Sequence, residues 1–332
     1  MKKLIFGLIP FIIIACSTNS NNQFKLNGTT KDILNGTVLY LENTSTGTAI
    51  DSAVIENNSF HFKTELTKTP VQVVLSTKDF SHYRFLWLEN NPMTFNASNS
   101  DFRNAIVTGS EEENLSFNLM KETDTLPRDK RIQKEQEFVK QHPSSVHGAY
   151  VLSVYTKTWG KEKTKELYGK LSAENRRTEY GKKIANYIKL NKNPSIGDSY
   201  VDFEMRDIDG GKRKLSEFKD NVVLLEFWSS GCLPCRKENP NLVRTYERFN
   251  PKGFEVFAVS QDTEREKWIG AIEKDGLPWL QVSDLKGHEN TASLIYGVHY
   301  IPDNFLIDQN GIIVARGIRG EKLNTKLDEL LN

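Results

Sequence analysis

Two cysteines three positions apart, in the run Cys232-Leu233-Pro234-Cys235, are the residues of this chain with the most chemistry to offer. Such a pair closes into a small disulfide and reopens to a dithiol, and the thiolate is the form that attacks another disulfide. An apolar run, Val222 to Trp228, precedes the pair with the length and branching of a buried strand. Ser229-Ser230-Gly231 makes a turn, and Leu242, Tyr246 and Phe249 then recur at helical spacing. With Cys232 at the N-terminus of that helix, unpaired N–H groups and the positive dipole end stabilise its anion. Pro234 suits the first turn, where a missing N–H costs little. Cys235, about one turn further on, can resolve a mixed disulfide. Arg236 and Lys237 either add positive charge there or are simply solvated.

Two plainer readings compete. Half a zinc site needs two further ligands, yet no third cysteine lies nearby and none of the six histidines stands beside the pair in a ligand spacing. A purely structural disulfide is a poor fit, because so small a ring restrains little unfolded-chain entropy.

The region from about Ile196 to Leu331 resembles the thioredoxin superfamily, specifically the TlpA/ResA-like thiol-disulfide oxidoreductases of bacterial envelopes. The residues that carry the resemblance are Ile196-Gly197-Asp198, Phe203, Asp209-Gly210, Leu215-Ser216, Phe227-Trp228, Cys232-Leu233-Pro234-Cys235, Glu238, Pro240, Ile301-Pro302, Phe305-Leu306-Ile307-Asp308 and Gly311. Gly231 departs from the pattern, since the family usually has Trp there. The resemblance implies an α/β thioredoxin fold in which Cys232 attacks and Cys235 releases the client. It makes Ile301-Pro302 a cis bond that faces the dithiol, offers the Ile301 backbone to substrate and keeps metal off the thiols. It places Glu226 where thioredoxins hold a buried acid and Glu238 where ResA-like proteins tune the thiols. Trp228, Leu233 and Pro234 are expected to complete the substrate surface. Neither cofactor nor metal is expected. The implied partners are protein thiols and disulfides and a membrane thiol reductase as electron donor, with reduction as the working direction and a monomer as the working state.

The elements that must position these residues can be read in order. Within 194–332, Asp198 to Met205 reads as an entry strand, Asp209-Gly210-Gly211 as a hairpin turn, and Val222 to Phe227 as the central strand. Cys235 to Phe249 reads as a helix, Phe254 to Ser260 as a second parallel strand and Glu264 to Lys274 as a helix. Pro278 to Val282 reads as an edge segment and Thr291 to Tyr296 as a helix. Asn304 to Ile307 and Ile312 to Arg316 flank an Asp308–Gly311 turn, and Leu323, Leu327 and Leu330 line a closing helix.

The start of the chain reads as targeting. Lys2 and Lys3 precede an apolar stretch, Leu4 to Ile14, too short to span a bilayer. Ala15-Cys16, followed by the polar run Ser17 to Asn22, resembles a bacterial lipoprotein box. This implies a signal peptide at 1–15 and a tether at 16–22 anchored through lipid on Cys16; an ordinary signal peptide with an incidental cysteine is the alternative. Of three cysteines, Cys232 and Cys235 then remain as one dithiol in an exported, disulfide-permissive compartment. Ser17 is not an acidic retention signal, which favours the outer membrane over the inner.

Residues 23–110 read as an antiparallel β-sandwich-like domain, with short runs such as Thr37 to Leu41, Phe60 to Phe62, Val71 to Leu75 and Phe85 to Leu88 between Asn- and Gly-rich turns. The pattern resembles the β-rich domain of unknown function that precedes such thioredoxin domains in Bacteroidetes-type lipoproteins. Asp51, His61 and His82 are isolated there and form no catalytic set. Residues 111–193 carry helical periodicity and form a connector between the outer domains. A net charge of +1 gives no sign of a nucleic-acid or strongly charged partner, and none is expected. The function reading is therefore a lipid-anchored envelope thiol-disulfide oxidoreductase. A disulfide oxidant or isomerase, and a ligand-binding lipoprotein with a redox-sensing thioredoxin module, remain the alternatives.

Overall fold

The computed structural model describes residues 24–331. The targeting stretch, the tether and Cys16 lie outside them. The described chain forms two compact units: one runs to Glu135 and includes Ser145–His147, the other holds Gln136–Ser144 and everything from Gly148 onward.

The first unit contains β1 (Lys25–Thr30), β2 (Val38–Asn43), β3 (Ala49–Val54), β4 (Ser59–Phe62), β5 (Val71–Thr77), β6 (Tyr83–Leu88), β7 (Pro92–Ala97), β8 (Ile106–Thr108) and α1 (Glu111–Thr123). The strands build two four-stranded sheets, ordered β4-β1-β7-β8 and β3-β2-β5-β6. Every pair is antiparallel except β1 with β7, which runs parallel. Burial alternates along β1, β4 and β7. Leu26, Phe60, Phe62 and Phe95 from one sheet meet Leu39, Leu41, Leu75 and Leu86 from the other in one core, as in a sandwich.

The helical stretch expected as a separate connector is divided between the units. The division falls inside α2 (Arg128–Gln141) and at the start of α3 (Val146–Trp159), and α4 (Lys161–Tyr168), α5 (Ala173–Arg177) and α6 (Glu179–Leu190) belong to the second unit. Polar bonds fasten these helices there. The N–H groups of Lys192 and Asn193 donate to Ile295 O at 3.0 and 2.9 Å, and Asn191 Nδ2 donates to Leu294 O at 2.8 Å.

The second unit continues with β9 (Glu204–Asp207), β10 (Lys212–Lys214), β11 (Val222–Trp228), α7 (Leu233–Phe249), β12 (Phe254–Ser260), α8 (Arg265–Asp275), β13 (Leu280–Ser283), α9 (Thr291–Tyr296), β14 (Asp303–Ile307), β15 (Ile313–Arg316) and α10 (Gly320–Leu331). Its seven-stranded sheet is ordered β10-β9-β13-β12-β11-β14-β15. Strands β11, β12 and β13 run parallel through helical crossovers, and β14 and β15 close the sheet as an antiparallel hairpin. This is the thioredoxin order expected from the sequence.

Two local readings differ. The segment expected at an edge is β13, an interior strand, because the β9–β10 hairpin pairs along its outer side through Val282↔Asp207. The entry strand starts later than Asp198: residues 197–200 instead bond to Gly311 and Ile313 beside the closing hairpin. Gly311 makes that hairpin turn at φ +79°, where a side chain is strained and would also crowd Tyr200.

The central strand explains the layering. Every residue of β11 is buried, as in a strand covered on both faces. Val222, Leu224 and Trp228 join Leu242 and Phe249 of α7 and Leu323 and Leu327 of α10. Val223, Leu225 and Phe227 join Ile295 and Tyr296 of α9 on the other side. Side chains alternate along a strand, so Glu226 shares the face of Leu224 and Trp228, the one that packs beneath α7 and α10.

Candidate active site

β11 ends at Trp228, and within four residues the chain has turned and entered α7 with Cys232 as N-cap. Cys232 Sγ accepts the backbone N–H of Cys235 at 3.2 Å. Pro234 lies in the first turn, where no intrahelical partner is lost. The two cysteines are joined as a disulfide with Cα atoms 5.2 Å apart. Cys232 is 9 % exposed and Cys235 2 %, so the N-terminal sulfur is the more accessible one. Leu233 and Pro234 project outward, as does Gly231, around which a side chain would meet nothing.

The turn is rigidly tied. Ser230 N and Oγ both donate to Asp262 just beyond β12, and Ser260 Oγ donates to the same carboxylate at 2.7 Å. Arg236 pairs with Asp275 at the end of α8 and donates from Nη1 to Ser230 O at 3.0 Å. Asp275 also accepts Asn239 Nδ2 at 2.7 Å. The Arg236 charge, expected near the thiols or in solvent, is thus committed to a carboxylate.

Trp228 corrects one expectation. It is 2 % exposed, with Nε1 donating to Gln281 Oε1 at 3.0 Å. Its side chain is covered rather than part of the open surface, and anchors the end of β11. The Ile301–Pro302 bond is cis. Ile301 is half-buried and packs against the cluster that contains both cysteines and Trp228.

Two acids lie on β11 and α7, the elements that flank the cysteine turn. Glu226 is buried, and Oε2 accepts Asn304 Nδ2 at 2.9 Å across the β11–β14 ladder. Burial pushes its carboxyl up to about 8, with Asp303 and Glu238 adding to the rise and Asn304 and Arg319 opposing it. Glu238 follows Cys235 by one helical turn and accepts the backbone N–H of Gly320 at 3.2 Å. The sequence reading missed Asn304, Asp262, Asp275 and Arg319. Their place at the site depends on partners 32 or more residues away, and only the pairing of β14 with β11 brings Asn304 opposite Glu226. Among the described residues no group of three or more His, Cys, Asp or Glu is placed to hold a metal.

The arrangement is a disulfide at a helix N-cap with a buried acid on the strand beneath that helix, suited to thiol–disulfide exchange. Residues 196–316 match the AhpC/TSA family, and residues 24–115 match a domain of unknown function (DUF4369). Over 145 residues the chain is 32% identical to the thiol-disulfide oxidoreductase ResA of Bacillus cereus, covering 44% of this chain and 82% of that protein. This chain belongs to the ResA-like thiol-disulfide oxidoreductases. Solved structures similar to it include the thioredoxin domain of a thiol-disulfide oxidoreductase from Bacteroides vulgatus, 34% identical, covering 42% of this chain and 99% of that one, with a TM-score of 0.39. Another is a thiol-disulfide oxidoreductase from Bacteroides fragilis, 36% identical, covering 40% and 100%, also at 0.39. As a ResA-like protein the chain is an oxidoreductase with a thioredoxin-like C-terminal region behind a β-rich N-terminal one.

Proposed function

We propose that this ResA-like protein reduces disulfides of client proteins with the Cys232/Cys235 dithiol. The observation that carries the reading is Cys232 at the N-cap of α7, its sulfur accepting a backbone N–H at 3.2 Å. The Cys232 thiolate attacks one sulfur of the client disulfide; that S–S bond breaks, a mixed disulfide forms and the first client thiolate leaves. Deprotonated Cys235 then attacks Cys232 Sγ and expels the second client thiolate. The client gains two electrons and the pair loses them. Glu226, with its carboxyl pushed up to about 8, exchanges a proton with Cys235 near neutral pH. Glu238 tunes the same proton from α7. Leu233, Pro234 and the Ile301-Pro302 backbone receive the client as an extended segment.

The direction rests on charge balance. A pair whose reduced form is strongly stabilised is an oxidant. Here the helix N-terminus favours the thiolate, but Arg236 is neutralised by Asp275 and the acids behind the pair oppose a second anion. Re-reduction requires a dithiol donor, for which a thiol reductase in the membrane is the proposed class. The Lys2-Lys3 leader and Ala15-Cys16 support export and a lipid anchor, placing the protein in the cell envelope, on the outer membrane by Ser17.

The test is the reduction potential of the pair, equilibrated against dithiothreitol or glutathione and read from the fluorescence of Trp228 beneath it. A value of about −270 mV or lower supports the reductant, whereas about −120 mV reverses the direction. The absence of a reversible couple would remove the dithiol from the mechanism.

One observation favours a second reading, a ligand-binding lipoprotein with a redox-sensing module. A groove of about 880 Å³ on the first unit is lined by Asn27, Glu56, His61, Thr94 and Asn96. Cys232→Ala that keeps ligand capture and loses only redox response would select it.

A further inference from the structure

Glu226 has one hydrogen-bond partner among the described residues, Asn304, and that partner is itself committed to the loop that leads into α10. Asn304 Nδ2 also donates to Ile318 O at 3.0 Å, and its Oδ1 accepts Ile318 N at 3.0 Å. Two residues on, Gly320 N donates to Glu238 Oε1 at 3.2 Å. The residue between these anchors is Arg319. Its backbone is therefore pinned on one side to the partner of Glu226 and on the other to Glu238. Its Nε and Nη2 are buried and have no acceptor.

A guanidinium does not lose its proton in a protein, so two dry donor nitrogens without acceptors are costly unless some state of the protein satisfies them. Glu226 is the group that changes. Neutral, its carboxyl offers a weak acceptor; ionised, it offers charge-assisted acceptor positions. We propose that Arg319 is the positioning cation of the buried acid: from its pinned backbone the guanidinium takes up the Glu226 carboxylate on ionisation and so keeps the proton exchangeable with the dithiol. The inference rests on the proton-exchange role given to Glu226 above.

The groups that face Glu226 account for the balance. Asp303 on its neighbour strand and Glu238 on α7 disfavour a third negative charge, while the Asn304 amide and the Arg319 charge favour it. Burial dominates and holds the carboxyl at about 8. Without Arg319 the cation is gone and both repelling acids stay, so Glu226 would remain protonated well above neutrality.

The experiment is a carboxyl ¹³C NMR titration of Glu226 in the oxidised full chain, compared across Arg319→Met, Arg319→Gln and Arg319→Lys. The midpoint is expected to rise by about one pH unit or more in the Met and Gln variants, the lower end of the effect of a close opposite charge, and to return towards wild type in the Lys variant. Gln keeps polar donors without charge and serves where Met fails to fold. An unchanged midpoint in a folded Met or Gln variant overturns the proposal. Equal shifts in the Lys and Met variants overturn it as well, since they assign the effect to shape. The titration needs no turnover. An inactive dithiol with the expected shifts would sink the reductase reading alone, and a reversible couple without the shifts would sink this one alone.

Discussion

Glu113 and Glu226 are buried acids, one in each unit, and the protein treats them in opposite ways. Glu113 gives one oxygen to Arg84 Nη2 at 2.7 Å and the other to Trp87 N at 2.9 Å. Its neighbour Glu112 accepts Ser145 Oγ, Val146 N and His147 N at 2.7 to 2.9 Å. Burial holds the Glu113 carboxyl above its ordinary value even against the opposing pull of Arg84 and the Trp87 N–H. Both oxygens of Glu113 meet strong donors, so the group is a fixed strut between α1 and β6. Glu226 has an amide at 2.9 Å and the guanidinium of Arg319, whose Nε and Nη2 are not engaged. Burial alike does not mark function. An acid that is satisfied stays as it is, and an under-satisfied acid can change state.

The largest effect that separates the units is expected from Cys232→Ala. Reduction of a protein disulfide, followed by turbidity as the released chains precipitate, should fall to background, while unfolding of the first unit stays unchanged. Residual turnover at wild-type rate would move the chemistry away from the pair.

Next comes Glu226→Gln. A carboxyl raised from 4.5 to about 8 binds its proton more tightly in the folded state. Its stabilising contribution is full below about pH 4.5 and is lost as pH rises through about 8. At about 1.36 kcal/mol per pH unit the interval is worth roughly 5 kcal/mol. The Gln variant should therefore be more stable than wild type at pH 9 and equal to it at pH 4, by urea unfolding. Parallel pH profiles would show that Glu226 is ionised at ordinary pH and end its role as a proton carrier.

Arg84→Met tests the other acid. Leaving Glu113 buried and unpaired should cost about 3–5 kcal/mol of stability without changing the potential of the cysteine pair. A shifted potential would mean that the first unit's ion pair also tunes the redox centre.

What was legible in the sequence followed the range of the interactions. The strand Val222 to Trp228, the Cys-x-x-Cys turn and the closing hairpin are set by neighbours within a few residues, and they read correctly. β1 was missed because Lys25–Thr30 holds a single large apolar side chain, Leu26, and is a strand only because β4 and β7 flank it. The interior position of β13 depended on a hairpin more than 60 residues earlier. The two acids show the same limit. Nothing near Glu113 in sequence announces Arg84, and nothing near Glu226 announces Asn304 or Arg319. The buried acid itself was legible through family resemblance, but its partners were not.

The smallest effect sharpens the contrast because its sign is reversed. His147, at the start of α3 in the first unit, is buried, and burial pushes its imidazole down to about 4. Its Nδ1 accepts a hydrogen bond from Trp87 Nε1–H at 3.2 Å, so the neutral ring carries its own hydrogen on Nε2. A histidine with a depressed value binds fewer protons when folded. Its contribution is therefore present above about pH 6.5 and lost as pH falls through about 4, an interval of roughly 3 kcal/mol. His147→Gln keeps an acceptor for Trp87 and cannot titrate, so it should flatten the acid limb of first-unit stability. Glu226→Gln should flatten only the alkaline limb of the second. Urea unfolding followed by the amide signals of β6 and of β11 resolves the two. If both variants flatten the same limb, the two buried groups do not titrate with opposite sign, and the contrast drawn between the units fails.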